Sequence, residues 1–240
     1  MKNSVHFIMA LALLPLLAHT AAAMPQPLGS YWHGHLNHGI NARTYFAQRP
    51  ERSIEFLSPA SYEYGTLALF ETIESISQYL NAQWGQRFHV QLGDTALERG
   101  GKIARHVAHQ NGLDADIAYL AIRARQVGHR SEKFNNRFRQ EYVANGKLDA
   151  NFDLESNYRL LKHIANTNQV SHIFVGCTIK HAFQNFHVAG ENAAERDVLL
   201  KHLVVNPHHD DHFHIRVRCP AGATQCENDT EWHDIDCDGA

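Results

Sequence analysis

The stretch that decides the fold is His208-His209-Asp210-Asp211-His212-Phe213-His214-Ile215-Arg216-Val217-Arg218. Side chains alternate between two faces along a β-strand. As a strand, this stretch places Phe213, Ile215 and Val217 on an apolar face, and His212 and His214 on the polar face. Two imidazoles on the open face of a half-buried strand suit a metal-binding cleft, because zinc accepts neutral imidazole nitrogen as a ligand. A His-rich loop without a function is the alternative that this stretch alone leaves open.

A second group of polar residues precedes another predicted strand. The chain reads His106-Val107-Ala108-His109-Gln110-Asn111-Gly112-Leu113-Asp114-Ala115-Asp116-Ile117. Gly112 allows a bend, and the apolar residues after it alternate with Asp114 and Asp116, which therefore share the polar face. A histidine before a strand and an aspartate on it can converge on one ion, since zinc accepts nitrogen and carboxylate oxygen. A polar turn with two solvated carboxylates is the alternative.

Together the two segments supply three side chains with the right chemistry for one zinc ion: His109, Asp116 and His214. Three protein ligands leave a fourth position for water, which is the pattern of a catalytic rather than a structural zinc site. Mixed nitrogen and oxygen donors favour zinc over magnesium or calcium, which prefer oxygen alone. His212 shares the face of His214 and is the predicted base, and Asp114 is predicted to brace a metal-bound imidazole.

Charge and composition exclude several classes of protein. The 240 residues contain 22 Lys+Arg and 25 Asp+Glu without a basic stripe, so nucleic acid is not an expected partner.

Lys2, an apolar run over 7–18 and the small residues Ala21 and Ala23 predict a signal peptide over 1–23 that is removed before Met24. An uncleaved anchor is the alternative. No later apolar stretch is long enough to span a bilayer, and residues 24–240 fit one domain.

Four cysteines, Cys177, Cys219, Cys226 and Cys237, lie in the last third of the chain. An even number of cysteines in an exported protein indicates disulfides. Cys219 with Cys226 would close a short loop after the decisive strand, and Cys177 with Cys237 would tie the C-terminal segment to the core. Four cysteines permit three pairings, and the sequence does not choose between them. A zinc site made of all four is disfavoured because the chain contains no Cys-x-x-Cys pair.

Hydrophobic periodicity gives a coarse assignment of the remaining chain. It predicts helices over 59–84, 154–166, 179–186 and 193–203, and strands over 87–94 and 170–175. Residues 24–53 are rich in Gly, Pro, Asn and His and are predicted to be irregular structure over the core. Residues 123–151 are polar and rich in arginine, and are predicted to be a surface excursion.

The two motifs, in this order, resemble the penicillin-insensitive murein endopeptidases, which are LAS-type zinc peptidases of the group that includes D-Ala-D-Ala carboxypeptidases and dipeptidases. Residues 109–117 match a His-x6-Asp motif, and residues 212–216 match His-x-His. The similarity also takes in residues 29–31, 173–175, 179–180 and 218–226, and so it spans nearly the whole chain after residue 23.

The resemblance implies an α+β fold in which helices flank a central antiparallel sheet. It gives the zinc-ligand positions to His109, Asp116 and His214, with one zinc ion per chain, and the position of the catalytic histidine to His212. The implied substrate is the peptidoglycan cross-link between D-alanine and meso-diaminopimelate, which places the protein in the periplasm.

The resemblance also assigns two further histidines, and two other functions stay open beside it. His106 and His209 match histidines that line the family's cleft, and His209 is the rival base. A D,D-carboxypeptidase or dipeptidase with the same zinc site is one alternative function, and an exported zinc-binding protein without activity is the other. The chain lacks the cysteine that the family carries after residues 179–180, which puts the pairing of Cys177 with Cys237 in doubt.

Overall fold

A computed structural model describes residues 24–49, 54–104, 106–123, 138 and 140–229. The predicted signal peptide and Cys237 lie outside this part of the chain. The strands are β1 (Gln26–Gly29), β2 (Gly34–Asn37), β3 (Ile40–Asn41), β4 (Ile54–Phe56), β5 (Tyr64–Gly65), β6 (Val90–Leu92), β7 (Asp114–Ala118), β8 (Val143–Ala144), β9 (Lys147–Leu148), β10 (Val170–Val175), β11 (Leu203–Val205) and β12 (His212–Val217). The helices are α1 (Ala42–Ala47), α2 (Leu67–Trp84), α3 (Leu154–Asn166), α4 (Cys177–Asn185) and α5 (Ala193–His202). Over these residues, every helix is too short or too polar to cross a membrane.

Six strands form one mixed sheet in the order β11-β10-β12-β7-β6-β4. The inner pairings are antiparallel, whereas β10 with β11 and β4 with β6 are parallel. The prediction of an antiparallel sheet is therefore wrong at both edges. Helices connect each parallel pair, α4 and α5 at one edge and α2 at the other, as parallel neighbours require. Side chains alternate in the same way in both arrangements, so the sequence pattern cannot distinguish them.

The decisive stretch forms β12, near the middle of the sheet. Phe213 and Ile215 are 0% exposed, which confirms the predicted apolar face. Full burial of such a side chain stabilises a fold by about 1.5–3 kcal/mol. The register with β7 places His214 opposite Asp116 and His212 opposite Ala118. Because directly opposite residues share a face, this pairing brings the two sequence motifs together.

The long helix α2 covers the apolar face of the sheet. It begins at Leu67 rather than at residue 59, because the Thr66 side chain caps it by accepting a hydrogen bond from the Leu69 amide. The residues before it form a 3-10 turn and the short strand β5. The helix ends at Gly85, whose φ of +61° favours glycine. The other long helix, α3, has the predicted bounds.

The N-terminal residues are more regular than predicted. Strands β1 and β2 form a hairpin that buries Leu36, and α1 follows it. The hairpin pairs with the C-terminal segment: the Gly29 amide donates to the Gln225 carbonyl at 2.8 Å. A disulfide joins Cys219 to Cys226, which confirms that pairing. Cys177 is not a free thiol, but its predicted partner Cys237 is outside the described residues.

Two aromatic side chains among the described residues of 123–151 depart from the predicted surface position. Phe138 and Tyr142 are 8% and 5% exposed, and the Tyr142 amide donates to the carbonyl of Asp210 at 2.9 Å. The abundance of arginine in this segment hides these two positions in the sequence. Phe138 and Tyr142 therefore lie next to the start of β12.

Candidate metal centre

Three side chains meet at one carboxylate oxygen. Asp116 Oδ1 lies 3.2 Å from His109 Nε2 and 3.2 Å from His214 Nδ1. All three residues are buried. Asp116 and His214 stand opposite each other on β7 and β12. The structure therefore brings together the three residues that the sequence analysis selected as zinc ligands.

His109 reaches the cluster from the loop before β7. Its φ is +68°, a left-handed conformation that histidine tolerates better than most side chains. Gly112 has a φ of +76°, and a Cβ there would lie 2.8 Å from Leu36 Cδ2, so both conformation and space require glycine. His109 Nδ1 donates to the Thr95 carbonyl at 2.8 Å. In the neutral imidazole, the free lone pair is then on Nε2, which faces Asp116.

Asp114 and Arg216 fix the orientation of His214 through its Nε2 atom. Asp114 Oδ1 accepts hydrogen bonds from His214 Nε2 and from Arg216 Nε, each at 2.8 Å. Arg216 also donates to Asp229 at 2.8 Å, and its guanidinium lies 3.6 Å from the centroid of the Tyr31 ring. Burial alone would raise the pKa of Asp114, but Arg216 and His214 outweigh burial and hold that pKa well below its ordinary value. Asp114 stays an acceptor, so His214 presents Nδ1 to the cluster.

The central atoms of the cluster lack ordinary partners. Among the described residues, His109 Nε2 and Asp116 Oδ1 are buried without a hydrogen-bond partner, a state that native proteins rarely leave unexplained. A tetrahedral zinc ion with bonds of about 2.1 Å holds its donor atoms about 3.4 Å apart. The observed separations are 3.2 Å. Each of the two nitrogen-to-oxygen distances is therefore compatible with a shared metal ion.

Donor atoms that could share an ion form two overlapping groups in the part of the chain that the structure describes. One group is His106, His109 and Asp116, and the other is Asp116, His209 and His214. The predicted ligands are therefore divided between the groups, and Asp116 belongs to both. His106 and His209, which were predicted to line the cleft, each belong to one of these groups. His106 Nε2 is 3.0 Å from Asp94 Oδ2.

His212 lies beside the cluster. Its Nε2 is 3.5 Å from Asp116 Oδ1, and its Nδ1 is hydrogen-bonded to the Asp211 carboxylate. Burial would lower the pKa of His212, but these two carboxylates outweigh burial and raise the pKa to about 10. The Phe138 ring stacks on the imidazole, with centroids 4.5 Å apart.

His212 was predicted from the sequence, but Asp211 and Phe138, which contact its ring, were not. An acidic residue directly before the histidine was an available signal for Asp211. Nothing in the polar segment over 123–151 marks Phe138 as a residue of the site.

Comparison with known proteins gives the chain a family. Residues 33–240 match the family model described as penicillin-insensitive murein endopeptidase. The chain belongs to this family. Three relatives carry that name: one from Yersinia enterocolitica serotype O:8 / biotype 1B, one from Klebsiella pneumoniae subsp. pneumoniae and one from Pectobacterium atrosepticum. They are 29%, 29% and 28% identical to this chain, over 94%, 95% and 90% of its length and 81%, 82% and 72% of their own.

Membership of the penicillin-insensitive murein endopeptidase family confirms the resemblance drawn from residues 109–117 and 212–216. Both motifs lie inside the matched range, and both contribute side chains to the cluster. The chain is therefore an enzyme of a peptidase family, as predicted, and its cluster of histidines and aspartates could hold a metal ion.

Proposed function

We propose that this protein is a zinc-dependent endopeptidase that cuts the peptidoglycan cross-link between D-alanine and meso-diaminopimelate. The observation that carries the proposal is the approach of His109 and His214 to one oxygen of Asp116, at 3.2 Å each, in a member of a peptidase family. The relatives are named murein endopeptidases, and murein is peptidoglycan, which supports the choice of substrate.

His109 Nε2, Asp116 Oδ1 and His214 Nδ1 would hold one zinc ion per chain. Two nitrogens and one carboxylate oxygen suit zinc better than magnesium or calcium, and three ligands leave one position open. When bound, zinc polarises the scissile carbonyl and brings the pKa of a water molecule close to neutral. On the resemblance of the two motifs, we also assign the fold to the LAS-type metallopeptidases.

His212 carries out the proton transfers in this proposal. Asp211 holds Nδ1, so Nε2 faces the cluster, takes the proton of the attacking water and passes it to the leaving amine. The Asp211 carboxylate at Nδ1 also stabilises the imidazolium that forms between the two transfers. His209 is the weaker candidate, because burial and the nearby His212 and His214 lower its pKa well below the ordinary value.

We infer that the protein acts in the periplasm after removal of residues 1–23, and that residues 24–240 form the peptidase domain. Lys2, the apolar run over 7–18 and the small residues Ala21 and Ala23 support a cleaved signal peptide. The disulfide between Cys219 and Cys226 fits an oxidising compartment.

Digestion of a purified cross-linked muropeptide dimer tests the proposed activity. We expect the dimer to be converted into monomers, which mass spectrometry identifies, and we expect chelation to stop the reaction and added zinc to restore it. Release of D-alanine in place of monomers would assign a D,D-carboxypeptidase with the same site. A zinc-loaded protein that releases neither product would overturn the proposal in favour of a zinc-binding protein without activity.

Arg216→Lys is expected to weaken zinc affinity about 10–100-fold. Lysine keeps the positive charge, but it cannot reproduce the Nε–H bond to Asp114 or the stacking on Tyr31, so His214 is held less firmly. Competition with a chromophoric chelator measures the affinity. Arg218→Lys, at an exposed position just after β12, is the matched control. Equal zinc affinity in Arg216→Lys and the unmodified protein would contradict this role of Arg216.

A further inference from the structure

A cavity of about 310 Å³ opens beside His212. Ala118, the register partner of His212 on β7, lines this cavity. Asp211, which is bonded to His212 Nδ1, lines it as well. The cavity is as large as the smaller pockets that bind ligands in proteins. A molecule in this cavity can therefore contact Asp211, the residue that is hydrogen-bonded to His212.

The wall of the cavity combines aromatic surface with hydrogen-bond donors. Phe88 and Tyr142 supply aromatic rings, and Gln91 and Gln140 supply side-chain amides. Among the described residues of the lining, Arg87 carries the only permanent positive charge and Asp211 the only carboxylate. Asp211 is hydrogen-bonded to His212. Arg87 is therefore the charged group of the lining that can bind a ligand of opposite charge.

Arg87 is held in place and still accessible. Its guanidinium lies over the Phe88 ring, 4.6 Å from the centroid, and donates to Asp153 at 3.1 Å. The side chain is 51% exposed. A guanidinium has five N–H donors in a rigid fork, and the bond to Asp153 uses one of them. The remaining donors can bind a second carboxylate that arrives from the cavity.

We propose that this cavity binds one peptide stem of the cross-link, with a stem carboxylate at Arg87 and the aliphatic part of the same residue against Phe88 and Tyr142. The proposal rests on the proposed function, because it assigns the cavity to the peptide next to the scissile bond. Diaminopimelate fits this description, since it has an aliphatic chain and its carboxylate stands beside the cross-linking nitrogen. The cavity would thus favour stems with a free carboxylate over stems in which that carboxylate is amidated.

Two synthetic cross-linked dimers, identical except that one carries a free diaminopimelate carboxylate and the other its amide, test this preference. The unmodified protein is expected to cleave the carboxylate dimer with a kcat/KM about tenfold higher than the amide dimer, through KM. Arg87→Gln is expected to bring this ratio close to one. A ratio that Arg87→Gln leaves unchanged would overturn the proposal.

Asp153→Asn is the matched control for the lost ion pair. It removes the partner of Arg87, but asparagine still caps α3 at the Ser156 amide, and Arg87 keeps its charge. We expect this variant to retain the preference for the free carboxylate. A loss of preference in Asp153→Asn equal to that in Arg87→Gln would show that the ion pair matters rather than the charge at the cavity, and would also overturn the proposal.

A binding measurement separates this proposal from the proposed function. The monomer peptide with a free carboxylate, titrated calorimetrically into the zinc-loaded protein, should bind about tenfold more tightly than its amide, and Arg87→Gln should remove that difference. If the protein cleaves neither dimer but shows this binding difference, the proposed function fails and the carboxylate site stands. If it cleaves the dimers without any difference in binding or KM, the function stands and the carboxylate site fails.

Discussion

Asp116→Asn is expected to remove tight zinc binding and to lower hydrolysis of the cross-link on the order of 10³-fold or more, because zinc contributes several kcal/mol to the stabilisation of such transition states. Asp116 Oδ1 lies within 3.5 Å of a nitrogen atom in each of His109, His212 and His214. It also belongs to both groups of residues that could share an ion. Asparagine keeps the shape of the side chain but offers a neutral amide, which is a poor zinc ligand.

Metal analysis after dialysis and digestion of the cross-linked dimer measure the two losses in Asp116→Asn. Glu63→Gln is the matched control, because Glu63 is an equally buried carboxylate that pairs with Arg43 instead of a histidine. This control is expected to lose stability and to keep its zinc, and thermal unfolding of both variants shows how much of each effect is loss of fold. An Asp116→Asn protein that retains one zinc ion per chain after dialysis would contradict the assignment.

Most of the confirmed predictions depend on the alternation of side chains between the two faces of a strand. Phe213 and Ile215 had to face the core because the strand is apolar on that side, and they do. The same argument put Asp114 and Asp116 on one face, which the register with β12 confirms. A period of two residues is a local property of the chain, so it can be read without knowing which strand pairs with which.

The contacts that complete the site are not local, and the sequence could not reveal them. His109 is oriented by the carbonyl of Thr95, and every residue offers a carbonyl, so no residue type marks this position. His106 is close to Asp94, a pair that only the folded loop brings together. The parallel edges of the sheet were missed because the edge strands β4 and β11 have three residues each, too few to show an alternating pattern.

The resemblance to a family supplied what the residues alone left open. From the residues, the His-rich stretch had an alternative as a loop and the carboxylates had an alternative as a solvated turn. Residues 212–217 form the strand β12 rather than a loop, and the burial of Asp116 makes the solvated turn wrong. Asp114 is also buried rather than solvated, since it bonds to His214 and Arg216.

His212→Ala is expected to lower kcat for the cross-linked dimer about 10²–10⁴-fold, which is the usual contribution of a general acid–base group. Zinc content and KM should change little, because the proposed zinc ligands are His109, Asp116 and His214 rather than His212. Single-turnover digestion and metal analysis of the same preparation measure both properties. Full activity in His212→Ala with zinc retained would exclude His212 as the base.

His209→Ala is the variant to set beside His212→Ala, because the two rings are neighbours with centroids 4.7 Å apart. Among the described residues, His209 shares a possible metal group with Asp116 and His214, whereas His212 belongs to neither group. Loss of zinc in His209→Ala, with zinc retained in His212→Ala, would make His209 a ligand and leave His212 as the base. Retained zinc in both variants, with the larger fall in kcat in His209→Ala, would transfer the proton-transfer role to His209. With His109, Asp116 and His214 as the ligands, zinc is expected to be retained in both variants, and the larger fall in kcat is expected in His212→Ala, whose Nδ1 is held by Asp211.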